Sequence, residues 1–150
     1  MKIVLGSDHR GFGVKQRLMG VLAKLGHEVR DLGVDTGDGA CDYPDYAIPV
    51  SQAVAQGEAD RGILVCGTGF GMCIAANKVA GIRAVSCRDP IEAEMSRRHN
   101  NANVLCMSAD FLGQELIERL VQVWLATDFE GGRHQRRVDK ITQYEARPQG

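Results

Sequence analysis

The segment Val65-Cys66-Gly67-Thr68-Gly69-Phe70-Gly71 sets a thiol at the end of an apolar run and opens at once into a glycine loop, so a reactive group and an anion site share one address. Glycines at 67, 69 and 71 allow backbone N–H groups to converge on a negative ligand at the positive end of a following helix, with no β-carbons in the way. The same field favours a thiolate at Cys66. A tight strand-to-helix turn around a buried cysteine is the competing plain reading.

Three further clusters could carry chemistry. Asp8-His9 reads as a capping Asp beside a surface His, or as a pair that holds hydroxyls and moves protons. His99 sits in Arg97-Arg98-His99-Asn100-Asn101, where a helix C-terminus favours cations without any function, and taken alone it reads as structural. Arg133 and Arg137 lie four apart, on one helical face, where they could grip a phosphate or simply face solvent.

The glycine loop admits rival chemistries that can be tested on the sequence. A Cys-based phosphatase loop needs an Arg six positions after its nucleophile, and that position is Met72. A dinucleotide fingerprint would use Gly67, Gly69 and Gly71 with Asp89 as the ribose contact, but the spacing is G-x-G-x-G, the loop follows the third strand, and no length remains for a substrate domain. A non-catalytic sugar-phosphate sensor would use the same loop without the thiol.

The elements that must position these groups alternate along the chain. Strands are predicted at 2–7, 28–32, 61–66, 82–87 and 103–107, and helices at 12–25, 45–56, 72–79, 90–98 and 111–126, with a loop at 33–42 and a basic helix at 133–147. Asp89-Pro90 has N-cap and N1 character. This βαβ alternation implies an α/β, Rossmann-like three-layer sandwich: a five-stranded parallel sheet with helices on both faces and the basic helix at the end. Ligands in such a sheet sit beyond the carboxyl ends of the strands, where Asp8-His9 and Cys66 to Gly71 fall. His99-Asn100 closes a helix and precedes the fifth strand, at the opposite edge. Action in the same site therefore requires a second subunit.

The 150 residues are expected to form one domain, 1–150, burying about 70% of the unfolded surface. A formal net charge of −1 gives no reason to expect nucleic acid or a membrane surface as partner. The start Met1 to Leu5 runs into Gly6-Ser7-Asp8 after only three apolar residues, which predicts no signal peptide and a cytoplasmic location. Five cysteines, at 41, 66, 73, 87 and 106, contain no C-x-x-C pair and read as reduced thiols, with neither a disulfide framework nor a metal site.

With Gly6-Ser7-Asp8-His9-Arg10-Gly11-Phe12, Asp42-Tyr43-Pro44, Cys66-Gly67-Thr68-Gly69, Ile74-Ala75-Ala76-Asn77-Lys78, His99-Asn100-Asn101 and Arg133-His134-Gln135-Arg136-Arg137 in order, the chain resembles ribose-5-phosphate isomerase type B over nearly its whole length. The wider family includes isomerases of galactose and allose 6-phosphates. The resemblance implies an aldose–ketose isomerisation through a cis-enediolate, without metal or other cofactor, in a homodimer or dimer of dimers with sites between subunits. It implies Cys66 as the base, assisted by Thr68, and the amides of Gly67 to Gly71 with Asn100 as the enediolate cradle. Asp8 and His99 would open the furanose ring, and His9, Arg133 and Arg137 would hold hydroxyls or the phosphate. Some members carry a Glu six residues after the Cys; Met72 stands there, so Cys66 has no carboxylate rival. Ribose-5-phosphate enzymes commonly have a phosphate-binding Arg where this chain has Asp110, and a carboxylate beside a dianion is repulsive. That substitution predicts weakened phosphate recognition, or another sugar or sugar phosphate as substrate.

Overall fold

A computed structural model describes residues 1–147 of the chain; residues 148–150, which the expected 1–150 domain includes, lie outside the described part. The order is β1 (Lys2–Ser7), α1 (Phe12–Lys24), β2 (Glu28–Asp31), α2 (Pro44–Ala55), β3 (Arg61–Cys66), α3 (Phe70–Ala76), β4 (Ala84–Ser86), α4 (Pro90–Asn100), β5 (Val104–Ser108), α5 (Gln114–Ala126) and α6 (Arg133–Glu145). All strand pairs are parallel, in the order β2-β1-β3-β5-β4. The chain reverses its direction of winding between β1 and β3, and a crevice opens at such a switch point.

The period of two along each strand sorts side chains into two cores. Ile3, Leu5, Ile63, Val65, Leu105 and Met107 face a layer that includes Leu18, Leu22, Leu120 and Trp124 from α1 and α5. Val4, Leu64, Cys66, Val104 and Cys106 face Val50, Val54, Met72 and Ala76 from α2 and α3. Cys66 thus ends its strand on the α3 side. Arg61 and Arg97 flank the ring of the buried Trp124, and Arg61 Nη1 donates to the Trp124 and Leu125 carbonyls at 2.8 and 3.1 Å, capping α5.

Several boundaries differ from expectation, each for a local reason. The fourth strand shrinks to three residues: Asn77 clamps both backbone groups of Ala84 at 2.9 Å, and the Cys87 N–H reaches Cys106 O only at 3.4 Å. The helix expected at 72–79 starts at Phe70 and ends at Ala76, because Gly69 at φ 81 opens it and Asn77 caps it. The helix expected from 111 starts at Gln114, since the Phe111 N–H is taken by Ser108 Oγ and Gly113 is extended. The last helix ends at Glu145, whose carboxylate receives the Gly81 N–H at 2.8 Å.

The loop at 33–42 is pinned by Lys15, a side chain only 1% exposed whose Nζ donates to Asp31 Oδ2 and Val34 O, both at 2.6 Å. Among the described residues, no helix is long and apolar enough to cross a membrane.

Candidate active site

At the carboxyl edge, Ser7 pairs with Val65 and Cys66 with Ser108, so the loops after β1, β3 and β5 emerge side by side. They enclose a cavity of about 320 Å³ lined by Asp8, Arg10, Tyr43, Cys66, Gly67, Thr68, Gly71 and Asp110. Five of the expected site residues, Asp8, Cys66, Gly67, Thr68 and Gly71, meet here.

The β3 loop is held from beneath by β5. Ser108 Oγ and the Asp110 N–H donate to Gly67 O at 2.6 and 3.1 Å, and the Ala109 N–H donates to Cys66 O at 2.9 Å. Gly69 then takes the left-handed conformation, and its N–H donates to Cys66 Sγ at 3.1 Å. Thr68 Oγ1 accepts the Phe70 N–H at 3.4 Å, which leaves the Thr68 O–H available as a donor. A β-carbon on Gly71 would come within 2.6 Å of Tyr43 Cζ, so any other residue there would have to displace the Tyr43 ring.

Asp8 is buried, and its Oδ1 accepts the N–H groups of Arg10 and Gly11 at 2.9 and 3.0 Å, fixing the carboxylate at the mouth of β1. His9 turns toward the 33–42 loop. Its Nδ1 accepts the Cys41 N–H at 3.3 Å, so the neutral ring carries its proton on Nε2.

His99, Asn100, Arg133 and Arg137 are not brought to this cavity. They gather beyond the amino end of β5, at the end of α4 and the start of α6. The His99 and His134 rings stack with centroids 4.2 Å apart and planes 9° from parallel, with Arg133 Nε and Arg137 Nη1 each 3.5 Å from a His134 nitrogen. Burial and the charges on His99, Arg133 and Arg137 hold His134 below the usual imidazole range, while Arg98 holds the Glu130 carboxyl below its own. His99, Glu130 and His134 bring possible ligand atoms within 4.8 Å. Stacked rings set their nitrogens side by side rather than aimed at one point, and Glu130 is engaged by Arg98, so the trio is poorly arranged to hold a cation.

Asp89 proves structural. Its Oδ1 accepts the Glu92 N–H at 2.9 Å, the N-cap bond of α4, while Glu92 Oε2 reaches back to accept the Arg88 N–H at 2.7 Å. Cys73, the other thiol near the loop, packs on α3 against β4. A hydrogen bond with Cys106 brings it down to about 7, but it does not line the cavity.

Two lining residues, Arg10 and Tyr43, escaped the sequence reading, although both lie in motifs quoted for the resemblance. Asp110 is at the cavity as expected, yet it is not the bare carboxylate that its sequence position suggests: Arg10 Nη2 pairs with its Oδ2 at 2.6 Å.

The sequence profile of the Ribose/Galactose Isomerase family matches residues 3–141. Ribose-5-phosphate isomerase B of Escherichia coli is 50% identical over 146 residues, covering 97% of both chains. D-erythrulose-4-phosphate isomerase of Pectobacterium atrosepticum is 41% identical over 97% of this chain and 95% of its own. The structure of Clostridium thermocellum ribose-5-phosphate isomerase B superposes with a TM-score of 0.94 at 48% identity, over 97% of each chain. The chain therefore belongs to the Ribose/Galactose Isomerase family and is a sugar-phosphate aldose–ketose isomerase.

Proposed function

We propose that the chain interconverts ribose 5-phosphate and ribulose 5-phosphate through a cis-enediolate, with Cys66 as the base. The observation that carries this reading is the position of Cys66 Sγ, which lies in the cavity beside Asp8 and Thr68 with the Gly69 N–H aimed at it. The thiolate takes the proton from C2 of the open-chain aldose, O1 gains a proton as O2 loses one, and the thiol returns its proton to C1. Negative charge developing on the enediolate oxygens meets amides already fixed by β5, and one such donor contributes about 3 kcal/mol in comparable sites. No metal or other cofactor enters these steps.

The site is completed by a second copy. His99 and Asn100 lie at the far end of β5, roughly 13 Å of strand away from Cys66. Phe70, Ile74 and Ile91 leave apolar surface at 51%, 63% and 71% exposure for that partner to cover. In a two-fold dimer each site then takes Asp8, Thr68 and Cys66 from one protomer and His99, Asn100, Arg133 and Arg137 from its partner. Asp8 and His99 open the furanose, and His9 and the two arginines hold hydroxyls and phosphate.

A shorter sugar phosphate is the second reading, favoured by the erythrulose-phosphate relative. Kinetics on four- to six-carbon aldose and ketose phosphates, with the free sugars as controls, test both. Ribose 5-phosphate is expected to give the highest kcat/KM; a tetrose phosphate surpassing it would replace the first reading with the second.

A further inference from the structure

Arg10 is the one cation among the described residues that line the Cys66 cavity, against two carboxylates, Asp8 and Asp110. Its Nε and Nη2 both donate to the same Asp110 oxygen, Oδ2, at 3.0 and 2.6 Å, which leaves Nη1 without a partner among the described residues. Both ends of the pair are fixed at their backbones. Asp8 Oδ1 holds the Arg10 N–H, and the Asp110 N–H is tied to Gly67 O. The pair lies directly over Gly67, where a β-carbon would sit 2.8 Å from Arg10 Nε and 2.9 Å from Asp110 Oδ2. With the Arg10 side chain 56% exposed, water reaches the guanidinium and an incoming anion can too.

We propose that Arg10 is a phosphate-recognising residue of this cavity, donating through Nη1 to the phosphate of the bound sugar phosphate, and that Asp110 is the positioning residue that aims it. A guanidinium presents five donors in a rigid fork, so Asp110 can keep one edge while a phosphate takes another. This role rests on the cavity taking a sugar phosphate. It also changes what Asp110 does there, from repelling the dianion to orienting the cation that attracts it.

The test is calorimetric titration of ribose 5-phosphate, inorganic phosphate and free ribose into Cys66→Ala protein, which is expected to bind without turning substrate over, alone and with Arg10→Ala, Arg10→Lys or Asp110→Asn added. Arg10→Ala is expected to weaken both phosphate-bearing ligands about tenfold and to leave ribose unchanged. Arg10→Lys restores part of the loss. Asp110→Asn weakens phosphate binding about threefold and adds nothing once Arg10 is Ala, the signature of a residue acting through another. In the Cys66 protein, Arg10→Ala is expected to raise KM by much more than it lowers kcat. Unchanged affinity in Arg10→Ala, equal loss for ribose, or tighter phosphate binding in Asp110→Asn overturns the proposal. Arg10-dependent phosphate binding in a protein that isomerises no sugar phosphate would overturn the proposed function and leave the role of Arg10 standing.

Discussion

The two ends of β5 carry opposite kinds of chemistry. At the carboxyl end the groups are a thiol and a carboxylate, each accepting a backbone N–H from its own loop, and peptide amides of a loop whose carbonyls are held by the end of β5 and the residues after it. At the amino end they are imidazoles and guanidinia on helix ends, stacked and charged side chains with few backbone anchors. Rigid amides suit the stabilisation of a small developing charge, which tolerates little misplacement. Long cationic side chains suit capture of a phosphate, whose charge is felt at a distance. The thiol and the histidine–arginine cluster thus lie at opposite ends of the same strand, and under the proposed function a partner protomer brings them together.

The largest expected effect separates the ends chemically. Cys66→Ala should lower kcat by about 10³-fold with substrate still bound, whereas Arg133→Ala or Arg137→Ala should raise KM about tenfold with a much smaller change in kcat. Steady-state kinetics with ribose 5-phosphate read both, and near-normal turnover in Cys66→Ala would end the assignment.

Mixing the ends tests whether they belong to different protomers. Inactive Cys66→Ala and His99→Ala chains, allowed to exchange, should regain up to about a quarter of active sites, because half the dimers are mixed and each mixed dimer has one site with both groups intact. Verified heterodimers without activity would place His99 in the same protomer's site or in none.

Structure at the amino end should also respond to acid. Burial, the chain's N-terminal charge and Arg61 hold His27 below the ordinary imidazole range, and His134 is lowered as well. The unfolded chain then binds more protons than the folded one, so stability present above about pH 6.5 is lost as pH falls through the lowered folded values. Thermal melts should show Tm dropping across that window. His27→Gln should flatten the drop, and an unchanged slope would show that His27 does not contribute. Removing the Arg61 cap from α5 at the same end, as Arg61→Ala, should cost about 2 kcal/mol in denaturant unfolding.

The smallest expected effect is none at all. Exhaustive EDTA treatment should leave turnover intact; a loss restored by a divalent ion would point back to the His99, Glu130 and His134 trio and require revision of the metal-free reading.

The loop from Cys66 to Gly71 was legible in sequence because its chemistry is local: glycines permit a backbone path, and a strand before with a helix after fix its ends. Asp89 carries two readings in the sequence, a helix N-cap and the ribose contact of a dinucleotide fingerprint, and the Glu92 N–H on its Oδ1 bears out the first. Arg10 carries no such local signal. Its partner, Asp110, lies 100 positions away, and no periodicity reports a contact between loops that meet only when β1, β3 and β5 lie side by side.

What the sequence determined by itself is the set of elements and the contents of each loop, since hydrophobic period, glycine placement and capping act over a few residues. The tertiary structure alone decided the strand order, which sets β5 between β3 and β4 and thereby brings Asp110 over Gly67. The place of His99-Asn100 at the edge away from Cys66 is readable from its position before β5, but the structure alone gathers Arg133 and Arg137 at that same end, around His134. Those outcomes depend on which strands pair, a choice set by the summed burial of two cores on opposite faces of the sheet rather than by any single segment.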